Sequence, residues 1–427
     1  MNIRIVKPVQ GGTIGAIASK SVAHRLLICA SLADNETFVR CQERSHDIDA
    51  TAHCLESLGS GIRYEDGGFF VTPIKKTKDL EKERSLNCGE SGSTLRFLLP
   101  VCGALGMNVK FNMKGRLPAR PLTGLYEEMT SNGCTLSEQG RSPLVLGGKL
   151  KSGNYYLPGN ISSQFISGLL FALPLLEGYS TISITGKIES RPYVDMTLDA
   201  LRLFRINVHE EEKPRLTFCI TGNQTYRSPK TVQTEGDWSN AAFWLCAGAI
   251  GTTGIICTGL NKDSRQGDRA IVELLKKFGA RVSADSGAVT VFPNELKGIE
   301  IDAENTPDLV PVLAAVASAA QGKTVIRGAG RLRLKESDRL RTIAASLSAL
   351  GADVKETDDG LVINGKKKLQ GGVTKSFGDH RIAMAAAVLS GACLNPVTIQ
   401  NAEAVNKSYP AFFSDFHVTL GGVCEKE

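Results

Sequence analysis

The chain has 427 residues, with 50 basic and 44 acidic side chains and a formal net charge of +6. It is too long for one hydrophobic core, so we expect two or three domains. Hydrophobic residues make up 42% and charged residues 22%, as in an ordinary water-soluble globular protein. The mild positive charge comes without a basic tail. It therefore favours small acidic ligands over nucleic acid.

Polar residues precede an apolar, helix-like run at six places along the chain. The six places are Ser19-Lys20-Ser21, Gly92-Ser93-Thr94, Ser162-Ser163-Gln164, Asp237-Trp238-Ser239, Thr306-Pro307-Asp308 and Asp379-His380-Arg381. Ser, Thr and Asp at such positions predict helix N-caps. An exposed helix N-terminus binds anions through its N–H groups and its dipole. Six N-termini brought together would form an anion-binding centre, whereas a cap on its own only completes its helix.

A second marker follows later in each copy of this pattern, where a helix ends and a strand begins. Its six positions are Gly59, Gly133, Arg205, Gly279, Gly351 and Gly421. They are 70 to 74 residues apart, so six repeats of about 71 residues account for the chain. Apolar helices alternate with strands in each copy. The sequence therefore predicts an α/β protein of six βαβαββ repeats, three in each of two domains. We expect one domain to comprise residues 1–17 and 234–427, and the other residues 18–233.

The cysteines and the N-terminus limit the cellular context. The eleven cysteines are irregularly spaced and several lie inside apolar helix patterns, which predicts buried free thiols in a reducing cytoplasm. Residues 1–8 have neither the apolar segment of a signal peptide nor the character of a transit peptide. The most apolar stretch, residues 240–257, contains three glycines. It is interpreted as a buried helix, a turn and a strand rather than a membrane span.

Three charged clusters are candidates for chemistry. Lys335-Glu336-Ser337-Asp338-Arg339 places acids among cations beside a helix start, as is common for acid–base groups. The segment from Arg116 to Arg120 offers guanidinium groups suited to carboxylate or phosphate, although it also fits a plain surface loop. In Asp379-His380-Arg381 the histidine is either a proton carrier or a structural hydrogen-bonding group.

Two weaker patterns carry little functional information. Residues 89–94 resemble a phosphate-binding loop but lack the Gly-Lys-Ser/Thr ending of a nucleotide P-loop. His46 and His53 would share a helix face, but no third ligand is evident, so we predict no metal site.

Together these motifs resemble the enolpyruvyl transferases along the whole chain. The segments that carry the resemblance are 19–21 with Arg25, 89–96, 116–121, 161–165, 191–193, 235–237, 335–340 and 379–381. The resemblance is strongest to the branch that transfers the enolpyruvyl group of phosphoenolpyruvate to the 5-hydroxyl of shikimate 3-phosphate and releases phosphate. It implies an inside-out α/β barrel in each domain and an active site in the cleft between the domains. It also implies a cytoplasmic monomer that uses no cofactor or metal and binds neither nucleic acid nor a membrane.

The resemblance also implies roles for individual residues. The catalytic residues would be Asp308, facing the 5-hydroxyl, and Glu336 with Lys20, handling the proton at C3 of phosphoenolpyruvate. Shikimate 3-phosphate would be bound by Lys20, Ser21, Arg25, Ser162, Ser163, Gln164, Ser190, Tyr193, Asp308 and Lys335. Phosphoenolpyruvate would be bound by Lys20, Gly92, Arg120, Gln164, Arg339, Arg381 and Lys407.

Two alternatives stay open at the level of sequence. One is the related transferase that acts on UDP-N-acetylglucosamine. That enzyme carries a cysteine in the loop corresponding to residues 116–120, and this loop has none. The other is a repeat protein that binds anions or RNA ends without catalysis. It would not need both Asp308 and Glu336.

Overall fold

The computed structural model describes residues 1–75, 83–285 and 287–427. Within these ranges the chain divides into two compact units. The first, called the split unit, consists of Met1–Ser19 and Glu235–Glu427. The second, called the inserted unit, is Lys20–Thr234. The backbone therefore passes between the units twice.

The secondary structure follows the chain order. The split unit begins with β1 (Ile3–Lys7) and β2 (Gly12–Gly15). The inserted unit contains α1 (Lys20–Leu32), β3 (Thr37–Arg40), α2 (His46–Ser57), β4 (Gly61–Glu65), β5 (Gly68–Thr72), β6 (Arg84–Gly89), α3 (Gly92–Leu105), β7 (Val109–Met113), α4 (Leu125–Ser131), β8 (Cys134–Leu136), β9 (Leu144–Gly148), β10 (Asn154–Pro158), α5 (Ser163–Ala172), β11 (Tyr179–Thr185), α6 (Arg191–Leu203), β12 (His209–Glu211), β13 (Thr217–Thr221) and β14 (Thr231–Gln233). The split unit continues with α7 (Trp238–Ile250), β15 (Ile255–Thr258), α8 (Ile271–Phe278), β16 (Arg281–Asp285), β17 (Ala288–Phe292), β18 (Glu300–Asp302), α9 (Val310–Ala319), β19 (Gly322–Arg327), α10 (Arg339–Ser348), β20 (Asp353–Glu356), β21 (Leu361–Gly365), β22 (Gly372–Lys375), α11 (His380–Leu389), β23 (Val397–Gln400), α12 (Phe412–Ser414) and β24 (Val423–Lys426).

The strands of the described residues form six four-stranded sheets, three in each unit. The sheet β6-β7-β9-β8 shows the common pattern. Its first two strands are parallel, and its last two join the sheet antiparallel. Helix α3 connects the parallel pair because parallel strands need a crossover connection. With α4 placed before β8, this is a βαβαββ unit, and the predicted repeat is confirmed.

Three sheets take one strand from a distant part of the chain. β14, the last strand of the inserted unit, pairs in parallel with β3. β2 pairs in parallel with β15, which lies beyond the whole inserted unit. β1 pairs with both β23 and β24 near the C-terminus. Each unit thereby completes its three sheets.

Helices form the interior of each unit and sheets its surface. All ten residues of α11 are buried, as are twelve of the thirteen in α7. A helix that is apolar on every side belongs in a core. The strands instead alternate, as in β10, where Tyr155 and Leu157 are buried and Asn154 and Tyr156 are exposed. This is the expected inside-out arrangement.

The six turn markers all adopt a left-handed backbone conformation. Their φ angles are 103° at Gly59, 98° at Gly133, 62° at Arg205, 104° at Gly279, 97° at Gly351 and 68° at Gly421. Glycine reaches this region without steric cost, which explains five of the six residues. Arg205 adopts the same geometry with a side chain, so the position is set by the repeat rather than by glycine.

Three further observations bear on context. All eleven cysteines lie in the described ranges as free thiols, and nine are buried, while Cys393 and Cys424 are half-buried. In the described part of the chain, no helix is both long and apolar enough to cross a membrane. Across the same residues, no group of three or more His, Cys, Asp or Glu side chains is arranged to hold a metal ion.

Candidate active site

In the split unit, one buried arginine binds carboxylates from three helix starts. The Arg339 guanidinium lies 2.8 Å from Asp308 Oδ1, 2.7 Å from Glu336 Oε2 and 2.8 Å from Asp379 Oδ2. Arg339 itself is 1% exposed. Burial disfavours its charge, but the carboxylates of Asp379, Glu336 and Asp308 outweigh burial and raise its pKa. The guanidinium therefore stays charged and holds the starts of α9, α10 and α11 together.

Asp308 is surrounded by cations. Arg381 Nη2 lies 3.1 Å from Asp308 Oδ2, and Lys335 Nζ lies 3.9 Å from Oδ1. Burial opposes ionisation, but Arg381, Lys335 and Arg339 together hold the Asp308 pKa well below its usual range. Asp308 is thus a carboxylate whose counter-ions are themselves predicted ligands of anionic substrates.

The local structure at Asp308 differs from the predicted helix cap. Residues Pro307–Leu309 form a 3-10 turn, and α9 begins only at Val310. Because Pro307 and Pro311 lack N–H donors, this helix start needs fewer capping groups. The Asp308 side chain is therefore available to Arg339 and Arg381.

Glu336 and Lys407 join the same cluster. Lys407 Nζ lies 3.7 Å from Glu336 Oε1, whereas Arg339 contacts the other oxygen, Oε2. Lys407 is buried in a short 3-10 helix, Ala402–Lys407. The structure thus gathers Asp308, Lys335, Glu336, Arg339, Arg381 and Lys407, all of the split-unit residues that the sequence assigned.

In the inserted unit, Lys20 pairs with Asp47. Lys20 Nζ lies 2.9 Å from Asp47 Oδ2, and both side chains are largely buried. Lys20 is the first residue of α1, and Asp47 is the second residue of α2. The pair therefore aligns the starts of these two helices.

Arg25 is buried one turn further along α1, among neutral oxygen atoms. It donates to the Thr197 hydroxyl at 2.8 Å and to the carbonyl oxygens of Ser21 and Tyr193 at 2.6 and 2.7 Å. Burial lowers the Arg25 pKa to about 10, although Tyr193 and Cys29 partly offset the effect. This charge is held by dipoles, and an anion would stabilise it.

A second cluster of polar side chains in the inserted unit surrounds the start of α3. Arg96 donates to Gln164 Oε1 at 2.9 Å, and Gln164 Nε2 donates to Ser93 Oγ at 2.9 Å. A methyl group at Gly92 would lie 2.7 Å from Arg120 Nη1 and 2.9 Å from Arg96 Nη1. The glycine thus lets two guanidinium groups approach the backbone, and Arg120, Gln164 and Gly92 come together as predicted ligands of one substrate would.

The other predicted residues of this unit lie at two helix starts. Ser162 caps α5, its Oγ accepting from Gln164 N at 3.3 Å, and Ser163 is the first residue of the helix. Ser190 occupies the N-cap position of α6 in a left-handed conformation with φ 54°, and its side chain makes no capping hydrogen bond to the helix. Tyr193 follows it, and its carbonyl oxygen holds Arg25.

Some residues of these clusters were absent from the predicted site. Asp379 binds Arg339 and caps α11, Asp47 pairs with Lys20, and Arg96 holds Gln164. Asp379 and Arg96 could have been included from the sequence, because both lie near a repeat start. No sequence signal pointed to Asp268. It is buried in the 3-10 turn Gly267–Ala270, and Ser239 Oγ donates to its Oδ2.

His380 is buried as the first residue of α11, with Nδ1 3.7 Å from Asp379 Oδ1. This position fits a structural histidine and a proton carrier equally well.

Comparison with known proteins defines the class first. An enolpyruvyl transferase, NikO from Streptomyces tendae, has the same fold with a TM-score of 0.78 at 18% identity, covering 99% of this chain and 98% of that one. EPSP synthase from Acinetobacter baumannii superposes with a TM-score of 0.82 at 26% identity, covering 99% of both chains. The fold is therefore that of the enolpyruvyl transferases.

The sequence comparisons identify the family. A sequence model of the EPSP synthase (3-phosphoshikimate 1-carboxyvinyltransferase) family matches residues 3–416. The 3-phosphoshikimate 1-carboxyvinyltransferase of Clostridium kluyveri is 46% identical over 413 residues, covering 96% of this chain and 95% of that protein. The enzyme of the same name from Clostridium acetobutylicum is 45% identical over 417 residues, covering 97% and 96%. The chain belongs to the EPSP synthase family.

Proposed function

We propose that this protein transfers the enolpyruvyl group of phosphoenolpyruvate to the 5-hydroxyl of shikimate 3-phosphate, with release of phosphate. The observation that carries the proposal is the buried cluster in which Arg339 binds Asp308, Glu336 and Asp379, in a chain of this family. The cluster offers two carboxylates for proton transfer and several cations for anionic substrates. The UDP-N-acetylglucosamine enzyme and a non-catalytic repeat protein are not favoured by the relatives.

The inserted unit supplies the proposed site for shikimate 3-phosphate. The buried Arg25 donates hydrogen bonds to neutral groups, so the substrate phosphate would neutralise its positive charge. The proposed ligands also include Lys20, Ser21, Ser162, Ser163, Gln164, Ser190 and Tyr193. Asp308 and Lys335 of the split unit would bind the ring hydroxyls.

Phosphoenolpyruvate would be held by residues of both units, most of them cations. Arg120, Gly92, Gln164 and Lys20 belong to the inserted unit, and Arg339, Arg381 and Lys407 to the split unit. Guanidinium groups suit this ligand because they bind carboxylate and phosphate oxygens in pairs. We expect the units to close when shikimate 3-phosphate binds. A smaller radius of gyration in small-angle scattering would support closure, and an unchanged radius at saturation would contradict it.

The chemistry proposed is addition followed by elimination. The 5-hydroxyl loses a proton to Asp308 and attacks C2 of phosphoenolpyruvate while C3 gains a proton. The tetrahedral intermediate then loses phosphate and a proton from C3. Glu336, with Lys20, would deliver and remove the C3 proton, and the cations would stabilise the developing charge.

The ion pairs of Asp308 suggest how it becomes a base. Without substrate, Arg381, Lys335 and Arg339 keep its pKa low and its basicity weak. Substrate anions would compete for the same cations. Because an aspartate that loses nearby cations becomes more basic, substrate binding would raise the pKa of Asp308 when a base is needed.

The proposal extends to context. We expect a cytoplasmic monomer that works without metal or cofactor and binds neither nucleic acid nor a membrane. Glyphosate would act at the phosphoenolpyruvate site. Dialysis against a chelator should leave turnover unchanged, and a loss restored by a metal ion would contradict the metal-free mechanism.

The direct test measures phosphate release from phosphoenolpyruvate with shikimate 3-phosphate as the acceptor. UDP-N-acetylglucosamine and unphosphorylated shikimate serve as control acceptors. We expect release that requires shikimate 3-phosphate. Release with UDP-N-acetylglucosamine alone, or no release with any acceptor, would overturn the proposal.

A further inference from the structure

A chain of buried hydrogen bonds crosses three helices of the inserted unit, starting at His24. His24 Nδ1 lies 2.7 Å from Thr51 Oγ1, and Thr51 Oγ1 lies 2.6 Å from Thr94 Oγ1. Thr94 then donates to Ser91 Oγ at 2.7 Å. All four residues are fully buried. The chain therefore connects α1 through α2 to Ser91, the cap of α3.

The donor direction along this chain follows from counting protons. Each hydroxyl has one proton to donate. Because Thr94 donates to Ser91, it accepts from Thr51, and Thr51 in turn accepts from His24. Nδ1 of His24 therefore carries a proton. Burial lowers the His24 pKa to about 3, so the ring is neutral at physiological pH and acts as a fixed donor.

The far end of the chain holds the loop that contacts the cations. Ser91 Oγ also accepts from Thr94 N at 3.3 Å, which fixes the first turn of α3. Gly92 and Ser93 follow at once, beside Arg120 and the amide of Gln164. A shift of Ser91 would move all of these contacts.

The near end runs beside the ion pair of Lys20. His24 lies four residues after Lys20 on α1, and Thr51 lies four residues after Asp47 on α2. Residues four apart share a helix face. The Lys20–Asp47 and His24–Thr51 contacts therefore join the same faces of α1 and α2, one helical turn apart. A histidine used only for packing would be costly here, since its Nε2 has no hydrogen-bond partner among the described residues.

We propose that His24 is a positioning residue for phosphoenolpyruvate recognition. Through Thr51 and Thr94 it fixes Ser91, and with it the Gly92–Ser93 backbone that faces Arg120 and Gln164. His24 is buried and contacts no substrate in this scheme. The inference rests on the proposed function, which assigns this loop to phosphoenolpyruvate.

Three substitutions separate positioning from packing. In His24→Asn, an amide nitrogen replaces Nδ1 at nearly the same place and can donate to Thr51. In His24→Gln, the amide reaches the position of Nε2 instead. His24→Leu keeps volume and removes the donor. We expect His24→Leu and His24→Gln to raise the KM for phosphoenolpyruvate about tenfold, as one lost hydrogen bond implies. His24→Asn should stay within about threefold of wild type.

The matched control removes a buried hydrogen bond at the other end of α1. Ser31 Oγ lies 3.1 Å from Ser60 Oγ, and Ser31 is fully buried. Ser31→Ala should lower the melting temperature without changing either KM. The KM for shikimate 3-phosphate should change less than about threefold in the His24 variants. Equal increases in both KM values, or a KM for phosphoenolpyruvate in His24→Leu that equals that of Ser31→Ala, would reduce His24 to a core residue.

A second readout keeps this inference separate from the proposed function. In His24→Leu, backbone amides of residues 91–96 should exchange with deuterium faster than in wild type and in Ser31→Ala. If the wild type shows no turnover, the proposed function fails and the exchange still tests the hydrogen-bond chain. If exchange at residues 91–96 is unchanged, the positioning role is wrong even when turnover is normal.

Discussion

Two buried arginines, Arg339 at the start of α10 in the split unit and Arg25 in α1 of the inserted unit, have opposite environments. Three carboxylates raise the Arg339 pKa, whereas burial among neutral oxygens lowers the Arg25 pKa to about 10. Arg339 is already compensated and holds structure together. Arg25 gains from an added anion. The partners of each buried arginine therefore decide which one is ready to bind a ligand.

The largest expected effect concerns the carboxylates of the split unit. Asp308→Asn and Glu336→Gln keep shape and remove a proton acceptor, so each should lower kcat roughly 10²–10⁴-fold. Asp47→Asn in the inserted unit should cost less than about tenfold, because Asp47 only orients Lys20. Steady-state kinetics measure all three. A loss in Asp47→Asn equal to that in Asp308→Asn would break the division of roles between the units.

Asp308 and Glu336 should differ in their effect on proton exchange at C3 of phosphoenolpyruvate. In deuterated water, the wild type should exchange the methylene protons of phosphoenolpyruvate during turnover, because the intermediate's methyl group can return a different hydrogen. Glu336→Gln should depress this exchange at least as much as turnover. Near-normal turnover in Glu336→Gln would remove Glu336 from the mechanism. The transfer of the C3 proton would then be assigned to Lys20 or His380.

The next effect is on stability. Arg339→Gln leaves three carboxylates without their cation and should lower the free energy of unfolding by about 3–5 kcal/mol. Arg25→Gln removes hydrogen bonds to neutral groups and should cost about 1–2 kcal/mol. Urea denaturation, monitored by amide hydrogen exchange, measures the free energy of unfolding of each unit. Shikimate 3-phosphate should raise the melting temperature of the wild type and not that of Arg25→Gln. The reverse order of stabilities would contradict the comparison.

The two units should also respond to pH in opposite directions. Burial, followed by the charge of Asp308, raises the Asp268 pKa from 3.8 to about 7 in the split unit. The folded state then holds the proton longer than the unfolded state, so this contribution to stability falls as pH rises from about 4 to 7. His24, with its pKa lowered from 6.5 to about 3, stays neutral while the unfolded state takes up a proton. Its contribution therefore falls as pH drops below about 6.5.

At 1.36 kcal/mol per pKa unit, the full contribution is about 4 kcal/mol for Asp268 and about 5 kcal/mol for His24. Native-state hydrogen exchange between pH 4 and 7 measures it unit by unit. Asp268→Asn should flatten the trend in the split unit, and His24→Asn that in the inserted unit. Parallel trends in both units would show that other groups dominate.

The smallest effect is expected at Gly92. Gly92→Ala introduces a methyl group 2.7 Å from Arg120 Nη1 and 2.9 Å from Arg96 Nη1. Flexible side chains can move away, so the KM for phosphoenolpyruvate should rise only about fivefold, or roughly 1 kcal/mol. Glyphosate inhibition should weaken as well. Gly15→Ala is the control, since its methyl group would meet no atom within 4 Å. Unchanged inhibition in Gly92→Ala would remove this loop from the pocket.

The six-fold repeat follows from local signals in the sequence. Caps such as Ser162, Asp237 and Asp379 and turn residues such as Gly279 act within a few residues of their own position, so their pattern predicts the elements directly. Buried helices follow from the same local signal, because α7 and α11 are apolar on every side. The resemblance then pointed to the charged residues at the repeat starts.

The pairing of these charged residues, in contrast, depends on long-range packing. Arg339 binds acids that lie 31, 3 and 40 residues away in sequence, and no local pattern specifies such partners. Asp268 and the chain from His24 to Ser91 were invisible for the same reason. A buried polar group acquires its shifted pKa and its hydrogen bonds from neighbours that packing brings together. Thus the sequence specified which groups the helix starts carry, and the fold determined which charges are compensated and which remain ready for a ligand.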